Sequence, residues 1–163
     1  MNNGPIKKTG FRRIDEDHML LLEIMRELSG KVSNNNRLEE VTKTLQFYAA
    51  DHFDREYRLM VYGGLSTENI QKHLLAHARF SDRVAQFAEV SCQNTSNSMD
   101  ELTRMLRSVS DEFGALRVGH LKPDQQMGAY LLQWLLTHTN SMDQTMIAEI
   151  KQMRPNLDSN TFE

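Results

Sequence analysis

Apolar residues recur at intervals of three and four along nearly the whole chain, and no stretch alternates like a half-buried strand. That periodicity predicts an all-α protein. A first helix is expected to begin after Asp15 and run to about residue 33, with Leu21, Ile24, Met25 and Leu28 on one face. The polar run Ser33-Asn34-Asn35-Asn36 ends it. A second helix is expected over 37–62 and stops at Gly63-Gly64, because glycine enters the left-handed conformation that terminates helices without a steric penalty. Ser66-Thr67 caps a third helix reaching about residue 90, and 94–98 is a polar loop. Ser98 and Glu101 have capping-box spacing and open a shorter helix striped by Leu102, Met105, Leu106, Val109 and Phe113, which Gly114 and Gly119 weaken. Lys122-Pro123-Asp124 marks the start of the last helix, expected to reach about residue 153. The pattern is four long helices with a shorter one inserted between the third and fourth, over about 94–120.

Length and charge narrow the class. A chain of 163 residues fits one domain and can close a core without disulfides. The net charge of −3 and the scattered basic residues give no nucleic-acid footprint and no polybasic membrane patch, so neither partner is expected. The single cysteine, Cys92, cannot form an internal disulfide, which fits a reducing cytoplasm, and reads as a half-buried thiol rather than a metal ligand. The first 13 residues form a positively charged arm with no apolar run of secretory type behind it, and the most apolar stretch, around 19–22, is too short to cross a bilayer. The expectation is a soluble, cytoplasmic protein with a polar, flexible tail or linker over 154–163.

The histidines carry the chemistry. His18 lies on the first helix, His52 with Glu56 on the second, His73 with His77 on the third and His138 on the last. The sixth, His120, falls in a loop and reads as a surface residue. Residues four apart share a helix face, so His52 with Glu56, and His73 with His77, can each point at a common centre. One such pair is usually a surface accident. Here every long helix contributes a histidine, and the core of a bundle is where facing helices build metal sites. Unpartnered imidazoles and carboxylates are unfavourable in a core, so a bound metal is the simplest explanation for gathering them there. Imidazole mixed with carboxylate suits iron, although affinity order alone does not exclude manganese or zinc. Asp143 follows His138 by five residues, and on a regular α-helix these point about 140° apart, so spacing alone does not pair them. A locally widened, π-type turn would.

Four stretches resemble the hemerythrin family, in particular its bacterial members, the bacteriohemerythrins: Ile14-Asp15-Glu16-Asp17-His18, His52-Phe53-Asp54-Arg55-Glu56, His73-Leu74-Leu75-Ala76-His77, and Trp134-Leu135-Leu136-Thr137-His138 with Asp143. All seven family ligand positions occur in order. The resemblance implies an up-down-up-down four-helix bundle over 14–153 holding two iron ions. His73, His77 and His138 would hold a six-coordinate iron, and His18 and His52 a five-coordinate iron that receives dioxygen. Glu56 and Asp143 would bridge the two. With an oxo or hydroxo bridge, those donors fill eleven of the twelve positions of two octahedra and leave one for dioxygen. Trp134 and Leu135 match positions that line the dioxygen pocket, although as aromatic and leucine residues they read equally well as core. The chain departs from the family in the long segment between His77 and Trp134.

The function this implies is reversible dioxygen binding for sensing, storage or delivery, with no catalysis. Family members also occur joined to signalling domains, including cyclases that make cyclic dinucleotides and chemotaxis receptors. A signalling domain, or a second copy held through the inserted helix, therefore belongs among the expected partners. Two other readings use the same ligands: a di-iron oxidase or peroxidase, and a nitric-oxide or iron sensor. The chain has no Glu-x-x-His motif of the carboxylate-rich oxidative di-iron proteins.

Overall fold

The computed structural model describes residues 6–29, 35–92, 123–158 and 160. The inserted helix, His120, and the side chain of Cys92 lie outside the described residues. Helices α1 (Arg12–Ser29), α2 (Asn35–Gly63) and α3 (Thr67–Cys92) are followed by α4 (Pro123–His138), a π-helical segment (Thr139–Asp143) and α5 (Gln144–Met153). His138, Asp143 and Gln144 all keep right-handed helical dihedrals, so the last three elements form one helix widened in its middle. The helices make an up-down-up-down bundle in which α1 packs on α2 and α4, α2 on α3 and α5, and α3 on α4. Among the described residues, no helix is long and apolar enough to cross a membrane.

The first helix begins at Arg12, earlier than its periodicity indicates. The cause is Asp15, whose carboxylate accepts hydrogen bonds from the Thr9 amide (2.7 Å), the Thr9 hydroxyl (2.8 Å) and the Gly10 amide (3.2 Å). A residue that looks like a helix start is in fact one turn inside, tying the preceding segment down. At the end of α2, the Leu65 amide donates to the Met60 carbonyl and the Gly64 amide to the Val61 carbonyl, both at 3.1 Å. With Gly64 at φ +83°, this is a Schellman closure. Ser66 Oγ then accepts the Asn69 amide at 3.2 Å and caps α3.

Among the described residues, two apolar clusters fill the bundle. The larger joins Leu21, Leu22, Met25, Leu45, Phe80, Phe87, Leu131 and Leu135 among others, and Ile6 of the N-terminal segment packs into it. The smaller joins Phe11, Ile14, Leu59, Met60, Met146, Ile147 and Ile150, with Leu157 beyond α5 packed against it. On every helix the histidine or carboxylate positions fall between residues of the two clusters. A polar layer therefore crosses the bundle where the hydrophobic stripe is interrupted.

Candidate metal centre

That layer contains His18, His52, Glu56, His73, His77, His138 and Asp143, each between 0% and 4% exposed. Both carboxylates sit at its centre and divide their oxygens. Glu56 Oε1 lies 3.7 Å from His18 Nε2 and 3.6 Å from His52 Nε2. Its Oε2 lies 3.4 Å from His73 Nε2 and 3.1 Å from His77 Nε2. Asp143 does the same, with Oδ2 3.2 Å from His18 Nε2 and Oδ1 3.2 and 3.1 Å from the Nε2 atoms of His73 and His138. Two groups of donors result, one of His73, His77 and His138 with Glu56, the other of His18 and His52 with Glu56.

The widened turn explains Asp143. A π-helical segment adds one residue to a turn, so a residue five positions after His138 returns to the same face. The carbonyls this disturbs are taken up locally: the Ser141 hydroxyl donates to the Thr137 carbonyl (2.6 Å) and the Thr145 hydroxyl to the Ser141 carbonyl (2.9 Å). The N-terminal segment straps the same region. The Lys7 amide donates to Asn140 Oδ1 at 2.8 Å, and Gln144 Nε2 donates to the carbonyls of Lys7 and Lys8 at 3.3 and 3.4 Å.

Aromatic rings fix two of the imidazoles. Phe53 stacks on His77 with centroids 3.8 Å apart, and Trp134 on His138 at 4.4 Å. Leu135 is buried in the larger apolar cluster. Sequence reasoning did not single out Phe53, or the pair Asp17 and Arg55. Arg55 Nε donates to Asp17 Oδ2 at 2.6 Å and Nη2 to Oδ1 at 3.2 Å, and Asp17 Oδ2 lies 3.6 Å from His52 Nδ1. A signal for the pair was available: Asp17 and Arg55 are charges of opposite sign, each next in sequence to a candidate ligand, His18 and Glu56, on consecutive helices.

The electrostatics are those of a site built for positive charge. Burial opposes ionisation of Glu56 and Asp143, yet the surrounding histidines hold both carboxyls below their usual range. Burial likewise works against protonation of His18 and His73, but the facing oxygens of Asp143 and Glu56 prevail and lift each to about 9. His77 goes the other way, to about 4, because burial is joined by repulsion from His138 and His73. All four carboxylate oxygens, with both ring nitrogens of His18 and the Nδ1 atoms of His52 and His77, are buried without a hydrogen-bond partner. Each such atom costs about 1–3 kcal/mol unless something else satisfies it.

A metal ion would satisfy five of them, the four carboxylate oxygens and His18 Nε2. Donors held about 2.1 Å from one ion at right angles stand about 3.0 Å apart. The Nε2 atoms of His77 and His138 are 3.0 Å apart and those of His138 and His73 3.2 Å. The donor set, all nitrogen and oxygen with no thiolate, suits iron and equally does not repel manganese or zinc.

Comparison with protein-family models, with curated proteins and with solved structures finds no match for this chain. Class therefore rests on fold and site: a four-helix bundle whose buried histidine and carboxylate clusters are consistent with a hemerythrin-like di-iron centre.

Proposed function

We propose that this protein is a non-haem di-iron protein of hemerythrin type that binds dioxygen reversibly, for sensing, storage or delivery. The observation that carries the reading is the division of the two carboxylates: each offers one oxygen to the three-histidine group and the other to the two-histidine group. Two ions bridged by Glu56 and Asp143 fit that division. His73, His77 and His138 would hold one ion and His18 and His52 the other, the second having fewer protein donors. Bound there, a pair of ferrous ions supplies two electrons and an open coordination position for a diatomic ligand.

The chain's own residues set how that chemistry proceeds. The layer is closed to solvent, and the apolar cluster containing Trp134 and Leu135 walls one side of it. Exclusion of water and protons slows irreversible oxidation, and a low local dielectric strengthens any hydrogen bond to the ligand. The richness in imidazole keeps negative charge low, which favours binding over further oxidation.

The test is the visible spectrum of the iron-loaded, reduced protein under argon, after admission of air, and after argon is restored. Two irons per chain and a spectrum that returns under argon are expected. A spectrum that never returns, with turnover of peroxide, would establish the oxidase reading instead.

A further inference from the structure

We propose that Asp17, clamped by Arg55, is a positioning residue that acts through His52 and selectively strengthens the two-histidine half of the centre. The proposal rests on the two-metal reading above and adds an asymmetry to it. An imidazole that gives its Nε2 lone pair to a metal must carry its proton on Nδ1. His52 is 1% exposed, with Nε2 directed at Glu56 and Nδ1 buried. Asp17 Oδ2 faces that Nδ1 at 3.6 Å, an electrostatic approach just outside hydrogen-bond range. Among the described residues, no other histidine of the centre has a carboxylate facing its Nδ1.

Asp17 is fixed for the task. Its side chain is 8% exposed, and Arg55 grips both its oxygens with a planar fork while also holding Asp51. A bidentate arginine restrains a carboxylate in orientation as well as position. A carboxylate behind a ligating histidine sets its ring plane and raises the basicity of the metal-bound nitrogen. It does so here on the side with only two histidines, where loss of donor strength matters most.

The experiment is an anaerobic titration of metal-free protein with ferrous ion alone against a competing chelator, for the wild type, Asp17→Asn, Asp17→Glu and Arg55→Gln. The wild type should take up two ions. Asp17→Asn should leave the first within about twofold and weaken the second by about 10–100-fold. Asp17→Glu, which keeps the charge, should recover most of that loss, and Arg55→Gln should fall between. If Asp17→Asn takes up both ions like the wild type, or weakens both equally alongside a lowered melting temperature, the positioning role is wrong. A wild-type chain that takes up fewer than two ions overturns the two-metal reading, and this inference with it.

Discussion

Gly63 and Ile150 set how closely α2 approaches α5, and that approach brings Glu56 and Asp143 together. A Cβ added to Gly63 would lie 2.6 Å from Ile150 Cγ1 and 3.0 Å from its Cδ1 and Cγ2. Carbon atoms pack at about 3.5–4.0 Å, so in Gly63→Ala the helices must part by roughly 1 Å or the fully buried Ile150 must leave its rotamer. Overpacking of this kind costs about 1–3 kcal/mol, while alanine gains about 1 kcal/mol over glycine in helix propensity. The net expectation is a loss of up to about 2 kcal/mol. Glu56 precedes Gly63 by seven residues, and Asp143 precedes Ile150 by the same number, about 10 Å along each helix. A wedge at Gly63 should therefore also spread the carboxylates and weaken metal retention. Gly64→Ala is the control: nothing lies within 4 Å of its added Cβ, but φ of +83° imposes about 1–2 kcal/mol of strain. It should lower stability in urea without lowering iron content per folded chain. Ile150→Ala alone should cost about 2–5 kcal/mol, and at least about 1 kcal/mol less when Gly63→Ala is already present. Strict additivity of the two losses would refute the close contact.

Glu56→Ala removes the oxygens facing both histidine groups and should reduce iron from two per chain to about one or fewer, whereas His120→Ala should not; metal analysis of the purified variants decides. Leu135→Ala opens the apolar wall and should shorten the lifetime of the oxygenated absorbance several-fold; stopped-flow decay equal to the wild type would exclude Leu135 from that wall. In the metal-free protein, His18 and His73 contribute stability that is full below about 6.5 and lost as the pH rises through about 9, whereas His77 contributes stability present above about 6.5 and lost as the pH falls toward about 4. Urea midpoints should peak near pH 6.5, and a profile still rising at pH 9 would contradict these shifts.

Much of this arrangement was legible because helical periodicity is a strong signal and histidine is rare within apolar stripes. His18, His52, His73, His77 and His138 stood out as one residue or pair per long helix, and the structure brings them to one layer. Gly63-Gly64 announced the end of α2 through backbone chemistry alone. Asp143 was different: no local pattern in Thr139-Asn140-Ser141-Met142-Asp143 declares a widened turn, whose carbonyls are satisfied by hydroxyls that also occur in ordinary helices. The position came from resemblance, and the π-helical segment then supplied its physical cause. The start of α1 was misplaced because Asp15 caps backwards onto Thr9 and Gly10, a contact that needs the fold of the preceding segment. Asp17 and Arg55 were not singled out, because only packing shows that they meet.

A polar layer across a bundle this small is a liability unless something other than protein completes it. Among the described residues, eight of its buried atoms lack hydrogen-bond partners, a costly arrangement wherever no facing charge offsets it. The two apolar clusters on either side hold the helices in register around it. The devices flanking it act in that direction: the knot of Thr9 on Asp15, the Schellman closure after α2, the strap from Lys7 and Gln144 across the π-helical segment, and the Arg55 clamp. Each is a hydrogen-bonded restraint on the helix ends or flanks, none inside the layer itself. Metal binding in small structural zinc sites releases free energy on the order of ten kcal/mol. Free energy of that size, delivered to donors already held in place, would turn the layer into a cross-link between all four long helices. On the proposed two-metal reading, the ion without a third histidine would be the half of the centre most open to a further ligand.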